Sequence, residues 1–482
     1  MGREIHKDTF TRDDQQRFCQ RLNEQLQALE ARLAQPGFSS GPATLGAEVE
    51  LYIVDDTYCP AALNESLLTD MSHPLLTEEL NRFNLEVNLS PVAAAGAPFQ
   101  AMGNELNQIV GKLREHASSH GADIATTGIL PTLDRTHLEP TFMTDRPRYR
   151  ALANGLTGAK GGAFSVDING IDSLKMLSDE LTLEGANTSF QVHLKVPAER
   201  FADFYNAAQL ITPLAMAVAG NSPTFLGKRL WQETRIALFK QSIDDRHPAT
   251  KNWRQPARVC FGHGWVRKSA LELFAENVAL YAPLIPYVFD EGPPFAELSL
   301  HHGTVWSWNR AVFDAGKDAH LRIEFRALPS GPTVTDMMAN AALLIGLTTT
   351  YADKIQGLLP AIPFNYAEYN FYRAAKDGLT AHILWPQSGQ HGVRETPVKE
   401  VLSNALSDAA AGLRMLDVAS DEIASLMSII EDRLATGQTG AAWQLHQLQK
   451  FGGYGGESAT LRRMLIRYME NSQQGLPVSQ WR

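Results

Sequence analysis

The stretch Thr44 to Asp56, TLGAEVELYIVDD, decides the fold of this chain. It predicts a glycine turn that leads into an apolar strand carrying Glu48 and Glu50. Because successive side chains of a strand point to opposite faces, both carboxylates share one face while Val49 and Leu51 point the other way. Two like charges side by side repel each other unless a cation lies between them or both face water. The stretch therefore predicts either a divalent metal site with oxygen ligands or a solvated edge strand.

The same alternation of apolar and polar residues recurs in three further stretches, which include residues 85–90, 187–196 and 320–328. Their polar faces carry, in chain order, Glu86 and Asn88, Gln191 and His193, and Glu324 and Arg326. A face shaped only by solvent would carry Lys, Thr and Ser as often as Glu, so the recurrence favours a function. The four strands predict one curved, mainly antiparallel sheet in an α+β fold. Helices would cover its apolar face, and its polar face would form a carboxylate-lined basin.

Several carboxylates with one imidazole and one amide suit Mg²⁺ or Mn²⁺, which prefer oxygen ligands and tolerate a nitrogen. Zinc is less favoured, because the sequence has no Cys pair and no H-E-x-x-H motif. An isolated histidine such as His193 is more often a core or surface residue than a ligand, and its metal role depends on the basin. Arg326 is consistent with a plain ion pair to Glu324 or with a guanidinium that binds a phosphoryl group.

Length and composition exclude several classes of protein. The chain has 482 residues, 44% of them hydrophobic and 20% charged, and has no apolar run long enough to cross a bilayer. A formal net charge of −10 argues against nucleic acid as a partner. The start lacks a signal peptide, and three scattered cysteines form no disulfide framework, so we expect a cytoplasmic protein. Oligomeric state is not readable from these features.

The chain divides into three expected parts. Residues 1–40 contain an amphipathic helix from Thr11 to Gln35 that docks on the body, with a Thr11-x-x-Asp14 capping pattern at its start. Residues 41–397 form the catalytic domain, and residues 398–482 form a helical C-terminal part that includes a glycine cluster at 452–456. The glycine-rich segment Gly155 to Gly170 lacks the Gly-Lys-Ser/Thr ending of a Walker loop, and we expect a mobile or bulged segment there.

At this point the chain resembles the glutamate-cysteine ligase and carboxylate-amine ligase families, whose catalytic domain is similar to that of glutamine synthetase and the guanidino kinases. Five motifs in family order, spanning residues 44 to about 350, give the resemblance. They are Gly46-Ala-Glu-Val-Glu50, Glu86-Val-Asn88, Asn187-Thr-Ser-Phe-Gln-Val-His193, Gly220-Asn-Ser-Pro223, and Ile323-Glu-Phe-Arg326 followed by Leu328-Pro-Ser. No cysteine-binding pocket can be matched.

The resemblance implies a curved antiparallel funnel with two or three bound Mg²⁺ ions and ATP as co-substrate. It implies a metal-binding set of Glu48, Glu50, Glu86, His193 and Glu324, with Glu79 as a further candidate and Glu78 as its alternative. Arg326 is similar to the arginine that contacts the transferred phosphate, and Glu324 supports the same step. Gln191, Asn221 and Arg235 are similar to substrate- or nucleotide-contacting positions.

The implied reaction has two steps and needs no protein nucleophile. ATP phosphorylates a substrate carboxylate, and an amine then attacks the acyl phosphate to give an amide. We expect the γ-carboxylate of glutamate and the amine of cysteine as substrates, as in glutathione biosynthesis. The alternatives are a ligase for another acid or amine, a phosphotransferase of the related kinase type, and a non-enzymatic ligand-binding relative.

Overall fold

The computed structural model describes residues 4–247, 255–386, 392–452 and 457–482. Its first element, helix α1 (Arg12–Leu33), begins with the expected capping box, since the Thr11 hydroxyl accepts from the Asp14 N–H and the Asp14 carboxylate accepts from the Thr11 N–H. Phe18, Leu22 and Leu29 on one side of α1 are buried. The predicted N-terminal helix thus packs on the body as expected.

The strands alternate along the chain with helices and loops. In chain order they are β1 (Thr44–Asp55), β2 (Leu76–Glu78), β3 (Asn84–Asn88), β4 (Val92–Ala93), β5 (Ala122–Ala125), β6 (Phe164–Asn169), β7 (Ser173–Ser178), β8 (Phe190–Val196), β9 (Thr224–Phe225), β10 (Lys228–Arg229), β11 (Val259–Cys260), β12 (Trp306–Ser307), β13 (Asn309–Asp314), β14 (His320–Phe325), β15 (His382–Pro386) and β16 (Val393–Pro397).

The helices after α1 fall into a group between the strands and a C-terminal group. In chain order they are α2 (Asn64–Met71), α3 (Pro98–Ser119), α4 (Pro147–Lys160), α5 (Phe201–Ala219), α6 (Thr234–Ser242), α7 (Leu271–Leu280), α8 (Ala296–His302), α9 (Val334–Leu358), α10 (Phe364–Asp377), α11 (Val398–Met415), α12 (Ser420–Thr436), α13 (Gly440–Lys450) and α14 (Ser458–Gln474).

One eight-stranded antiparallel sheet forms the centre of the fold. Its strands lie in the order β13-β14-β8-β1-β3-β2, and β4 and β5 pair with the two ends of the long strand β1. The sheet curls into a half-barrel with helices packed against it. The α+β fold with a curved antiparallel sheet, expected from the sequence, is confirmed.

The apolar face of the sheet joins the main core with α3, α5 and α9. α9 is buried along most of its length, which explains why its sequence shows little difference between one side and the other. A second apolar cluster lies at one end of the polar face, where Tyr52 stacks on Phe83. The cluster also contains Trp443, Tyr468 and Trp481, so the C-terminal helices help to close that end.

The segment from Gly155 to Gly170 differs from the mobile or bulged segment we expected. It continues α4 to Lys160 and then forms β6, which pairs with β7. Pro147 occupies the first turn of α4, and Gly161, at φ 63°, ends it. Proline at the start and a left-handed glycine just past the end are ordinary helix signals, so the glycines of this segment do not indicate mobility.

The glycine cluster expected at 452–456 lies, apart from Gly452, outside the described residues. Within the part of the chain that is described, no helix is both long enough and apolar enough to span a membrane.

Candidate active site

The strand register brings the four polar faces together. Glu48 of β1 lies opposite Asn88 on one side and Gln191 on the other. Glu50 lies opposite Glu86 of β3, and His193 of β8 lies opposite Glu324 of β14. Because directly opposed residues of an antiparallel pair project to the same face, these side chains line one surface. We call this surface, the polar face of β3, β1, β8 and β14, the basin.

Three of the predicted metal-binding residues form one group in the basin. Glu48, His193 and Glu324 each offer a ligand atom, and these atoms all lie within 4.8 Å of one another. His193 Nε2 lies 3.6 Å from a Glu48 oxygen and 3.7 Å from a Glu324 oxygen. It is buried and has no hydrogen-bond partner among the described residues. Burial lowers the pKa of His193, which favours the neutral imidazole that can act as a metal ligand.

Glu50, Glu79 and Glu86 form a second group, again with ligand atoms within 4.8 Å of one another. Burial and the charge of Glu86 raise the pKa of Glu50 to about 7. Burial also raises the pKa of Glu86 and of Glu79, and neighbouring carboxylates add to both shifts. These carboxyls therefore repel one another when ionised, and a bound cation would offset that repulsion.

The structure distinguishes Glu79 from its neighbour Glu78. Glu79 belongs to the second group. Glu78 instead forms an ion pair with Arg146, and its carboxylate oxygens lie 2.8 Å from Nε and 2.7 Å from Nη2. A paired carboxylate has less capacity for a metal ion, so the geometry favours Glu79.

Gln191 and Arg326 connect the two groups. Gln191 Nε2 donates to Glu50 at 3.1 Å, while Gln191 Oε1 accepts from Arg326 Nη1 at 2.6 Å. Arg326 Nη1 also lies 2.5 Å from Glu324. Contacts to Gln191 and to Glu324 therefore hold Arg326 in place. Because its guanidinium is rigid and planar, its remaining N–H donors point in fixed directions.

Glu324 differs electrostatically from the carboxylates of the second group. Burial acts to raise the pKa of Glu324, but the charges of Arg310 and Arg326 hold that pKa well below its usual value. Arg310 on β13 lies opposite Glu324 and donates to it at 2.9 Å. Arg310 was missed from the sequence, although residues 309–314 alternate in the same way as the four recognised strands.

Two further residues beside Glu50 received no role from the sequence, although Ser189 falls on the polar face of the alternating stretch 187–196. Ser189 donates to Glu50 from its N–H at 2.7 Å and from its hydroxyl at 2.8 Å, which fixes that carboxyl in place. Glu184 lies in a short helical turn, Leu181–Ala186, where burial and the nearby Glu50 raise its pKa to about 8. The role of Glu184 depends on the folded approach of this turn to Glu50, which no local pattern encodes, and the role of Ser189 depends on the pairing of β8 with β1.

Asn221 and Arg235 lie in a fully buried network beside the basin. Asn221 Nδ2 donates to the Ser330 carbonyl and to the Tyr468 hydroxyl, both at 2.8 Å. Arg235 pairs with Glu233 at 3.1 Å and donates to the Ala327 carbonyl. The structure thus places both residues behind the segment that follows Arg326, and their contact with a substrate or nucleotide stays a prediction.

The arrangement can bind cations and stabilise negative charge in one place. Two carboxylate-rich groups lie on either side of an arginine whose position is fixed by Gln191 and Glu324. Such a surface can hold divalent cations against an oxyanion or a phosphoryl group.

The chain is similar to known proteins over most of its length. The model of a family described as glutamate-cysteine ligase family 2 matches residues 44–460. A glutamate–cysteine ligase of Haloquadratum walsbyi (strain DSM 16790 / HBSQ001) is 33% identical over 121 residues, which are 22% of this chain and 30% of that protein. The match to this curated relative therefore spans less than a third of its length.

Among solved structures, the chain is similar to the glutamate–cysteine ligase of Francisella tularensis, determined in complex with AMP. The TM-score is 0.57 at 13% sequence identity, and the match covers 91% of this chain and 90% of that one. At this level of identity the likeness concerns the fold. Since the family model covers most of the chain, including every strand of the central sheet, the chain belongs to glutamate-cysteine ligase family 2, a family of ligases.

Proposed function

We propose that the protein is an ATP- and Mg²⁺-dependent ligase that joins the γ-carboxylate of glutamate to the amine of cysteine through an acyl phosphate. Family membership supports a carboxylate-amine ligase. One observation carries the proposal. The two groups of candidate metal ligands, Glu48 with His193 and Glu324 and Glu50 with Glu79 and Glu86, lie on either side of the fixed Arg326 within a single basin. The proposed setting is the cytoplasm, as part of glutathione biosynthesis, where the free cysteines Cys19, Cys59 and Cys260 would stay reduced.

The residues of both groups fit Mg²⁺ or Mn²⁺. Five carboxylates supply the hard oxygen ligands that these ions prefer, and His193 supplies one nitrogen from an atom that otherwise has no described partner. We propose that Glu48, His193 and Glu324 hold one ion and that Glu50, Glu79 and Glu86 hold another. When bound, Mg²⁺ would offset charge on the phosphate oxygens and polarise them.

Arg326 is proposed to bind the phosphoryl group during its transfer. Its contact to Glu324 keeps the guanidinium in one orientation, and its contact to Gln191 sets its distance from Glu50. Because transferring phosphoryl groups spread negative charge over their outer oxygens, a fixed fork of N–H donors stabilises the transition state more than the ground state. No serine or cysteine nucleophile is needed.

The test is phosphate release by the purified protein with ATP and Mg²⁺. The protein is given glutamate alone, glutamate with cysteine, glutamate with other amines, or cysteine with other acids. The products of each mixture are identified by mass. We expect release only with both substrates and a product of the mass of γ-glutamylcysteine. Release with another acid or amine would keep the reaction class and replace the substrates. Formation of ADP and a phosphorylated acceptor, without free phosphate or an amide product, would indicate a phosphotransferase, and no phosphate release in any mixture would refute the ligase.

Glu48→Gln is the matched variant for this assay. Glu48 is bonded to neither arginine of the site, whereas Glu324 contacts both Arg310 and Arg326, so Glu48→Gln removes one metal ligand with little change in packing. We expect amide formation to fall by about 100-fold or more, with an unchanged unfolding temperature of the metal-free protein. Near-normal activity of this variant at limiting Mg²⁺ would contradict the assignment of Glu48.

A further inference from the structure

One oxygen of Glu86 is occupied by two hydrogen-bond donors. Glu86 Oε1 accepts from the Thr77 hydroxyl at 3.1 Å and from Asn88 Nδ2 at 2.7 Å. Thr77 lies directly opposite Glu86 on β2, and Asn88 follows two positions after Glu86 on β3, so all three side chains project to the basin. A carboxylate oxygen offers about two lone pairs, and both lone pairs of Oε1 are therefore used. Oε2 is the oxygen that remains for a cation.

Thr77 and Asn88 also fix each other. Asn88 Nδ2 donates to the Thr77 hydroxyl oxygen at 3.0 Å, which leaves the Thr77 hydrogen for Glu86. Asn88 is 8% exposed, and its Oδ1 is buried with no hydrogen-bond partner among the described residues. If the amide were turned over, Oδ1 would face the Glu86 carboxylate without a hydrogen between them. The N–H groups of Asn88 must therefore point to Glu86.

Glu50, which lies opposite Glu86, is restricted in the same way from the other side of β1. Glu50 Oε1 accepts from the Ser189 hydroxyl at 2.8 Å and from Gln191 Nε2 at 3.1 Å. The Ser189 N–H donates to Glu50 Oε2 at 2.7 Å, which leaves about one lone pair on that oxygen. Glu50 and Glu86 thus each present a single oxygen to the second group.

Carboxylates that offer a single oxygen suit a small ion better than a large one. Mg²⁺ takes about six ligands at about 2.0–2.1 Å and keeps several waters, whereas Ca²⁺ takes about six to eight oxygens at about 2.3–2.6 Å and often binds both oxygens of a carboxylate. Neither Glu50 nor Glu86 can bind through both oxygens while its hydrogen bonds persist. Ca²⁺ therefore loses ligands at the second group that Mg²⁺ does not need.

We propose that Thr77 and Asn88 are positioning residues that make the second group select Mg²⁺ against Ca²⁺. They act by holding Glu86 as a ligand through one oxygen, Oε2, and neither of them touches the ion. The inference rests on the proposed function, in which Glu50, Glu79 and Glu86 hold a divalent ion.

The test measures the affinity of the second group for Mg²⁺ and for Ca²⁺ without nucleotide or substrate. Electron paramagnetic resonance follows free Mn²⁺ in the presence of the full-length protein, and Mg²⁺ or Ca²⁺ is added as a competitor. Glu48→Gln is the background chain, because it weakens the other group, Glu48 with His193 and Glu324. Thr77→Val and Asn88→Leu keep the approximate shape of the side chain and remove the donor. In both we expect the preference for Mg²⁺ over Ca²⁺ to fall by about tenfold.

Two controls separate selectivity from a loss of structure. Thr77→Ser keeps the hydroxyl and should keep the preference of the background chain. Thr69→Val makes the same change as Thr77→Val at an exposed position of α2, where the hydroxyl donates to the Glu65 carbonyl, and should also keep it. A role in packing alone would lower the affinities for both ions in parallel. Thermal unfolding of the metal-free chains checks that each variant is folded, and Thr77→Val changes a half-buried position that tolerates a similar shape.

The outcomes for this selectivity and for the proposed function are separate. An unchanged ratio of Mg²⁺ to Ca²⁺ affinity in Thr77→Val and Asn88→Leu would overturn the role of the two residues, even if the protein forms an amide. A background chain that binds no Mn²⁺, or that does not prefer Mg²⁺, would overturn it as well. If the ratio shifts as expected while the original chain releases no phosphate from ATP in any substrate mixture, the selective ion site stands and the proposed ligase fails.

Discussion

Glu50 is held in a position that suits a metal ion and is unfavourable without one. Its side chain is partly buried, accepts from the N–H and hydroxyl of Ser189, and faces Glu86 across the β1–β3 pair. Burial and Glu86 together raise the pKa of Glu50 to about 7, from a usual value of 4.5. An acid whose pKa is raised on folding adds stability when it is protonated, and that stability is lost as the pH rises through the folded-state pKa.

We predict that Glu50→Gln stabilises the metal-free protein at high pH. At pH 5 both chains carry a neutral group at this position, so their free energies of unfolding should be similar. Between pH 5 and pH 8 the original chain ionises Glu50, and the variant should become more stable by on the order of 3 kcal/mol. Urea unfolding in the presence of a chelator measures the difference.

Added Mg²⁺ supplies the control for Glu50. The ion should stabilise the original chain at pH 8 and should stabilise Glu50→Gln much less, because the variant lacks the ionised ligand. A pH-independent difference between the two chains, or equal stabilisation of both by Mg²⁺, would contradict the prediction.

Arg326 gives the second prediction at this scale. Arg326→Lys should lower kcat by about 100-fold and change the KM for ATP by much less, because a point charge cannot make two directed contacts to the moving phosphoryl group. Its present contacts to Gln191 and Glu324 are both made by Nη1, so the other N–H donors of the fork remain for the phosphoryl group. Steady-state kinetics over a range of ATP concentrations measures both constants, and a large rise in KM at unchanged kcat would make Arg326 a ground-state binder.

Individual residues show where sequence reasoning succeeds and where it stops. Glu48 and Glu50 were readable because the period of two fixes their face as soon as β1 is recognised. The same period places Ser189 on the polar face, but its contact to Glu50 across the sheet was not readable, and neither was the approach of Glu184 from a neighbouring turn. Arg310 could have been found, since its strand alternates as clearly as the others.

At the scale of elements, two helices behind the sheet cross at glycines. A Cβ atom added at Gly412 of α11 would lie 1.9 Å from the carbonyl oxygen of Gly346 on α9. A Cβ added at Gly346 would lie 2.3 Å from the carbonyl oxygen of Ala409. Both neighbours are backbone atoms, which cannot swing aside as a long side chain can, so the two helices are in direct backbone contact.

Gly412→Ala should therefore destabilise the protein by about 3 kcal/mol, because α11 must move away from α9 to admit one methyl group. Gly111→Ala is the matched control, since Gly111 lies inside α3 with no atom within 4 Å of an added Cβ. The control should stabilise the protein by up to about 1 kcal/mol through helix propensity alone. Thermal and urea unfolding measure both, and equal effects of the two substitutions would refute the close crossing.

The elements themselves were largely predictable, and their contacts were not. α3 and β8 follow directly from their apolar periodicity, and the four polar faces predicted one sheet. The strand order β13-β14-β8-β1-β3-β2 depends on pairings between distant parts of the chain. From the sequence alone, glycine at 346 or 412 is expected only to lower the stability of its helix. Its role in the close contact between α9 and α11 becomes visible once the two helices are seen together.

For the molecule as a whole, the C-terminal helices are tied to the catalytic body by buried polar contacts. Tyr468 of α14 donates to the Thr126 carbonyl and accepts from Asn221, both at 2.8 Å. Arg433 of α12 pairs with Asp336 of α9 at 2.9 Å, and Asp336 also accepts from the Val478 N–H. These links join residues 97 to 342 positions apart, so no local pattern in the sequence indicates a role for the part from 398 to 482.

The division into 1–40, 41–397 and 398–482 remains a proposal, and these links suggest that the third part does not fold independently of the second. The main core contains residues of all three parts, among them Phe18, Val49 and Ile430. A shared core predicts one cooperative unfolding transition. The Asn221 network connects α13 and α14 to the segment after Arg326, so damage at the C-terminus should reach the basin.

Trp481→Ala tests this coupling with little direct effect on the basin. Trp481 packs edge-on against Trp443 and Tyr468, with ring centroids 5.1 Å and 5.2 Å away, so its removal should cost about 3 kcal/mol. Leu476→Ala, at a residue of the same tail that is 48% exposed, should change stability by less than about 0.5 kcal/mol. With one shared core, urea curves followed by far-ultraviolet circular dichroism, tryptophan fluorescence and ligase activity should shift together in Trp481→Ala. If the circular dichroism of Trp481→Ala showed two separate transitions and activity persisted after the first, the C-terminal part would be a separate unit and the proposed coupling would be wrong.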